Sequence, residues 1–394
     1  MSRDLSALRF VDEADVYKAG VLAGRLWRDE RARISFAYRE DYIAAQGRPV
    51  ARTLPLGPEA VGPLHGLPAF FAGLLPEGHR LSVLRSAAKT SLDDELTLLL
   101  AVGADVPGDV QVVPAGAAPG EPEPLADLDA APADFSRLAD ALDLHGLPGV
   151  QDKVSASMLS APVASPHHRW ILKLDPPGTP HLVLNEALHL AAARALRIPV
   201  ASAHVVRDAG GVPGLLVSRF DRLHDDGRWR RLELEDGAQI LGMLPAAKYS
   251  VAAEDLVAAV AAACRAPAVA VRNLYLQFLF AWLTGNGDLH AKNVAVLTGP
   301  AGHRAPAPAF DLPSTVLYGD MTMALPIAGR TKGLRARHWA EFAAAIGLPE
   351  RAAASATALA LRAAAGADLA ALPFEGSPLN RALRELRHRR AEFS

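Results

Sequence analysis

The chain is poor in the features that announce many protein classes. A single cysteine, Cys264, stands among 394 residues, which excludes an intrachain disulfide and a cysteine-rich zinc site and fits a reducing compartment. Neither sign of charge is in excess. With 41 Lys and Arg against 43 Asp and Glu the net charge is -2, so no whole-chain basic field advertises nucleic acid or an anionic membrane. Long apolar runs are missing as well: the alanine-rich "VAAVAAAC" ending at Cys264 is far short of a membrane span. The opening "MSRDLSALRFVDEADVYKAG" carries charges where a signal peptide needs an apolar core. There is no internal repeat, and the alanine runs are ordinary helix-forming composition. These absences predict a soluble cytoplasmic protein whose contact with DNA, if any, is local or made through a partner.

What is present is length enough for two or three domains. Residues 10–45 alternate as short strands around Val16, Tyr17, Val21 and Leu22, then "RISFAY", which predicts a small β-rich start. "LPAFFAGLLPEGHRLSVLRSAA" and "SLDDELTLLLAVGAD" have helical character, the second opening on Ser91 as N-cap. Residues 114–133, rich in Pro, Ala and acid without an apolar face, read as a linker. Beyond it "VQDKVSASML", "RWILKLD", "HVVRD" and "GLLVSRFDRL" are strand candidates, with the helix "NEALHLAAARAL" among them. From about residue 233 the pattern is mostly helical. Together these predict an α+β chain: an N-terminal domain over 1–113, a linker over 114–133, a β-rich lobe over 134–222 and a helical lobe over 223–394.

One stretch, "GNGDLHAKNVAVL", holds Asp288, His290, Lys292 and Asn293 between an apolar helical run and a β-branched one. A turn accounts for Gly285, Asn286 and Gly287, since these residues tolerate positive φ. It does not account for a carboxylate and an amide five residues apart at the mouth of a strand. That spacing is the one a protein-kinase loop uses for the Asp that takes the substrate's proton and the Asn that binds metal. A second metal-binding carboxylate should follow the next strand pair, and "AFDLPS" supplies Asp311. Upstream, phosphoryl transfer needs a strand lysine for the nucleotide phosphates and a helix glutamate to hold it; "WILKLD" supplies Lys173 and "LNEALHL" supplies Glu186. Lys173 interrupts an apolar strand, so a partner is expected. "HGLPGVQDKVSAS", with Gly146 and Gly149, has the glycines of a turn that lets backbone amides approach phosphate. Taken singly, Asp288 is a turn carboxylate, Lys173 a snorkelling lysine, Glu186 a solvated helix residue, and Gln151 and Lys153 exposed strand polar groups. His290 has no second histidine at ligand spacing, which favours a hydrogen-bonding role over metal binding, and Cys264 reads as core filling.

The ordered set "GVQDKVSASM", "ILKLD", "NEALHLAAARAL", "VSRFDRL", "GNGDLHAKNVAVL" and "AFDLPS" resembles the HipA family of bacterial toxin kinases. "VYKAGVLAGRL", "ISFAY", "RTLPL" and "FFAGLLPEG" are similar to the small domain that precedes the HipA kinase core. The resemblance implies a bilobal kinase-like core and an ATP- and Mg2+-dependent serine/threonine protein kinase. It also implies a HipB-like helix-turn-helix antitoxin as partner, DNA contact through that complex, and an aminoacyl-tRNA synthetase or other translation factor as substrate. On this chain it makes Asp288 the catalytic Asp, with Lys292 beside the transferred phosphate, and Asn293 and Asp311 the metal ligands. Lys173, supported by Glu186, becomes the phosphate-binding lysine, and Gly149, Val150, Gln151, Asp152 and Lys153 the cover over the phosphates. Ser218 and Phe220 fall on the hinge that meets adenine, and His290 is a loop residue of the nucleotide site. Gly146 stands where a studied branch has an autophosphorylated serine, and the Gly-Gly-Pro frequent after "AAKYS" is missing. Two rivals remain: a small-molecule kinase of the aminoglycoside-phosphotransferase type, which shares the "GDLHAKN" pattern, and a non-catalytic corepressor.

Overall fold

In this computed structural model, which describes residues 5–120, 134–135, 158–165, 168–176 and 178–393, the first strands form an antiparallel sheet in the order β3-β2-β1-β4. They are β1 Glu13–Lys18, β2 Val21–Arg28, β3 Ile34–Tyr38 and β4 Val110–Pro114. Alternation explains the sheet: Val16, Ala23, Leu26, Ile34 and Phe36 face a core closed by Phe70 and Phe71 of the helix Ala69–Gly73 and by Leu96 and Leu99 of the helix Glu95–Val102. That last helix is capped by Asp94, whose side chain accepts from the Thr97 amide, and not by Ser91. Thr90 Oγ1 donates to Asp94 at 2.5 Å and holds it in the capping position, one helical turn beyond the sequence expectation.

A second antiparallel sheet, β5-β6-β8-β7, is built from β5 Leu159–Ser165, β6 His168–Leu174, β7 Ala203–Arg207 and β8 Pro213–Ser218. The helix Leu182–Ala193 lies on it, its start fixed by Asp175, which accepts from the amides of His181 and Val183. The run "GLLVSRFDRL" is not one strand. It breaks after Ser218, and β9 Arg222–Asp225 turns away to pair with β10 Arg228–Arg231.

The remainder is mostly helical, around a helix Pro267–Thr284 that is buried nearly all round and ends on Gly285 in the left-handed conformation. The helices Ala253–Ala263, Ala336–Ala345 and Glu350–Ala365 pack about it in one large core, which also takes in Cys264. The mostly helical pattern from residue 233 is interrupted by a small sheet: β12 Ala295–Thr298 pairs with β13 Arg304–Pro306 as the strand pair before Asp311, and β11 Leu234–Asp236, which the sequence reading did not single out, pairs with β12. Three residues are too few to give β11 a periodicity. Its pairing is with a strand about sixty residues downstream, a kind of partner invisible to local pattern reading. The basic run Arg381–Arg390 lies on the helix Gly376–Ala391, but Arg389 turns inward over the Trp282 ring and donates to the Trp282 and Met321 carbonyls. No helix among the described residues is long and apolar enough to cross a membrane.

The N-terminal unit is joined to the rest through buried polar contacts. Lys18 pairs with Asp109 at 2.8 Å and with Glu233 at 3.2 Å, and Glu235 accepts from the Arg52 amide. Asp105 takes Arg219 at 2.7 Å and Arg222 at 3.0 Å. Burial works against the Asp105 charge, yet Arg219 and Arg222 hold its carboxyl below the ordinary range.

Candidate active site

Between the second sheet and the helical part lies a cleft of about 380 Å³ lined by Lys173, Ser218, Phe220, Asp288, His290, Lys292, Asn293 and Asp311. The N-terminal unit forms one of its walls with Gly73 to Glu77. Residues 138 apart in sequence thus meet at one opening.

Lys173, on β6, has its Nζ 2.8 Å from both oxygens of Glu186 and 2.9 Å from Oδ1 of Asp311. Strand alternation puts Leu172 and Leu174 into the core and turns Lys173 to the cleft face. Burial would lower the ammonium's pKa, but Asp311 and Glu186 outweigh it, so the ammonium is held above its ordinary value. Glu186 is fully buried, and that burial pushes its carboxyl up against the pull of Lys173. The pair costs desolvation, and breaking it would leave an unmatched charge in the interior.

Asp311 is a non-glycine residue at φ +56, a conformation L residues rarely adopt, though Asp tolerates it better than most. Such strain is characteristic of sites where side-chain direction matters more than backbone comfort. Phe310, just before it, packs on Phe220 with ring centroids 5.6 Å apart, tying the segment to the crossing after β8.

The turn expected for Gly285 to Gly287 is there, and it does more than bend the chain. A Cβ on Gly285 would come within 1.8 Å of Val316, and one on Gly287 within 2.6 Å of Thr315 Oγ1. Asn286 Oδ1 accepts from the Asp288 amide at 2.8 Å, and Asn293 Nδ2 donates to the Asp288 carbonyl at 2.8 Å. Asp288 is only 1% exposed, and its Oδ1 accepts from the Tyr249 hydroxyl at 2.9 Å. His290 stands edge-on to the Tyr249 ring at 5.0 Å, and burial, with Lys248 nearby, pushes its imidazole down to about 3, so it is neutral near pH 7. Lys292 donates to the Gly73 carbonyl at 2.9 Å and pairs with Glu77 at 3.0 Å.

Ser218 and Phe220 both border the cleft where β8 ends. The Ser218 amide is committed to the Ser202 carbonyl at 2.8 Å. Gly149, Val150, Gln151, Asp152 and Lys153, with Gly146, lie outside the described residues. Sequence reasoning missed Tyr249, Lys248 and Glu77. The strings "AAKYS" and "LLPEG" were visible, but nothing in either says that it meets the Asp288 loop.

Chemically, the arrangement offers a buried ammonium, two hard oxygen donors in Asn293 and Asp311, and a carboxylate at Asp288, all open to one cleft. No cluster of three or more His, Cys, Asp or Glu able to hold a metal unaided is found among the described residues.

Residues 145–367 match the family model described as HipA-like C-terminal domain, and residues 14–113 the model described as HipA N-terminal domain. Y4mE, a candidate kinase of Sinorhizobium fredii, is 32% identical over 365 residues, covering 85% of this chain and 86% of its own. The serine/threonine-protein kinase toxin HipA of Shewanella oneidensis is 28% identical over 322 residues, covering 74% of this chain and 72% of its own. Among solved structures, the Shewanella oneidensis HipA, HipB and operator DNA complex matches with a TM-score of 0.74 at 24% identity, over 96% of this chain and 95% of that one. That likeness gives the fold: a kinase-like α+β core behind a β-rich N-terminal unit.

Proposed function

The chain belongs to the HipA family of toxin kinases, and from that premise we propose that it transfers the γ-phosphate of ATP to a serine or threonine hydroxyl of a protein. The observation that carries this reading is the meeting of Lys173, paired with the buried Glu186, with Asp288, Asn293 and Asp311 on a single cleft. In this reading Lys173 draws phosphate oxygens, and Glu186, bonded to its ammonium, holds it for that task. Asp288 accepts the proton of the acceptor hydroxyl as the new O–P bond forms and the bond to the ADP oxygen breaks. Tyr249 donates to that carboxylate, while Asn286 holds the Asp288 backbone amide.

Magnesium fits the donors present, since it takes hard oxygens and is commonly held by one or two carboxylates with water and substrate phosphates completing its shell. With Nδ2 of Asn293 given to the Asp288 carbonyl, its amide oxygen and the Asp311 carboxylate would be the groups to hold the ion. Bound there, the ion supplies neutralisation of phosphate charge. The family reading extends to a HipB-like helix-turn-helix antitoxin as partner, with DNA reached through that complex. It extends also to an aminoacyl-tRNA synthetase or other translation factor as substrate.

The test is a cell extract incubated with the purified protein and γ-labelled ATP. Label in a protein band supports the reading, and transfer confined to small aminated sugars overturns it in favour of a small-molecule kinase.

A further inference from the structure

Glu77 is the last residue before the helix Gly78–Ala88, on the N-terminal unit, far in sequence from the lobes that carry the cleft. Its Oε1 lies 3.0 Å from Lys292 and its Oε2 in short contact with Lys248. Those lysines belong to two different segments of the helical lobe. Lys292 sits inside the Asp288–Asn293 loop and also donates to the Gly73 carbonyl. Lys248 accepts from the Ala291 amide of the same loop through its carbonyl, at 3.2 Å, and its ammonium lies 5.1 Å from the centre of the Tyr249 ring. Tyr249 in turn donates to Asp288.

We infer that Glu77 is a positioning residue for the phosphotransfer loop, so that the site is completed by a carboxylate from outside the two lobes. This rests on the kinase reading above for its consequence in turnover, though not for its geometry. Two ammonium groups brought against one another in a half-buried place repel, and a single carboxylate with one oxygen for each reconciles them. Burial works to raise the Glu77 carboxyl, but Lys292 and Lys248 hold it below its ordinary value, so it is ionised at neutral pH. Removing its charge sets Lys292 and Lys248 apart, and Asp288 feels both movements: one along the backbone from Lys292, the other through Lys248 and Tyr249. A neighbouring contact fastens the same edge, since Gln239 donates to the Phe70 carbonyl at 2.9 Å.

The experiment compares full-length wild type with Glu77→Gln, which keeps the shape and removes the charge. Amide hydrogen exchange over residues 288–293 is expected to quicken about tenfold or more in the variant, because local opening is favoured where a tethering contact is lost. In turnover, kcat is expected to fall about tenfold while the dissociation constant of a non-hydrolysable ATP analogue stays within about twofold, the split of a residue that acts on geometry and not on nucleotide binding. If Glu77→Gln melts early, Glu77→Asp keeps the charge on a shorter arm and is expected to fold and to give an intermediate exchange rate. Exchange over 288–293 that matches wild type overturns the inference whatever the activity. Exchange needs no turnover, so a wild-type protein that transfers no phosphate counts against the kinase reading while the loop measurement still decides the role of Glu77.

Discussion

Lys173 and Asp311, 138 residues apart, meet with Nζ 2.9 Å from Oδ1, and the same ammonium lies 2.8 Å from both oxygens of Glu186. One cation therefore ties the second sheet, its helix and the segment after β13 into a single arrangement. Lys173→Met leaves Glu186 buried without its counter-charge and is expected to lower stability by roughly 3–5 kcal/mol, as for other broken interior pairs. The double variant Lys173→Met with Glu186→Gln is expected to recover much of that loss in denaturant titrations while remaining unable to bind ATP normally. Equal stability of wild type and Lys173→Met would show that the pair is not a buried one.

Tyr249→Phe deletes one hydroxyl and little else. Because that hydroxyl donates to Asp288 at 2.9 Å, the variant is expected to lose about tenfold in kcat with KM for ATP nearly unchanged, the pattern of an interaction that matters in the transition state. Steady-state kinetics read it directly, and a rise in KM alone would assign Tyr249 to nucleotide binding instead.

Gly285 closes the central helix at φ +76, and a Cβ there would lie 1.8 Å from Val316. Gly285→Ala adds left-handed backbone strain to a clash, which together are expected to cost about 2–4 kcal/mol. Chemical denaturation measures this, and a loss near zero would mean the turn re-forms without strain.

His189 offers a pH test away from the cleft. It is fully buried on the helix Leu182–Ala193, Nδ1 donates to the Asn185 carbonyl, and burial pushes the imidazole down from 6.5 to about 4. Between those values the unfolded chain takes up a proton that the folded chain refuses. The stability this group allows is therefore complete above about pH 6.5 and falls as pH drops toward about 4, by on the order of 1 kcal/mol per pH unit. His189→Leu is expected to flatten that slope between about pH 7 and about pH 5. Identical slopes would place the acid sensitivity elsewhere.

Much of this is legible in the sequence. Lys173, Asp288, Asn293 and Asp311 declared themselves because a charged or amide side chain beside a strand's apolar run is conspicuous, and because their spacing has a chemical meaning. The long helices were legible from their apolar periodicity. What stayed hidden shares one physical character, dependence on a partner distant in sequence. β11 is three residues long and exists only because β12 accepts it. Asp94 outcompetes Ser91 as a cap because Thr90 holds it there. Tyr249, Lys248 and Glu77 are ordinary residues in ordinary strings, and only folding brings Glu77 against Lys248 and Lys292, and Tyr249 against Asp288.

The central claim is that Asp288 and Asp311 divide one phosphoryl transfer between them. The direct measurement is incorporation of label from γ-labelled ATP into protein by wild type, Asp288→Ala and Asp311→Ala, with a nucleotide-analogue dissociation constant and a melting curve for each. All three proteins should melt as folded chains. Asp288→Ala should lose about 10²–10⁴-fold in rate with nucleotide affinity nearly kept, while Asp311→Ala loses rate and magnesium-dependent affinity together. Transfer by either variant at the wild-type rate would contradict the account.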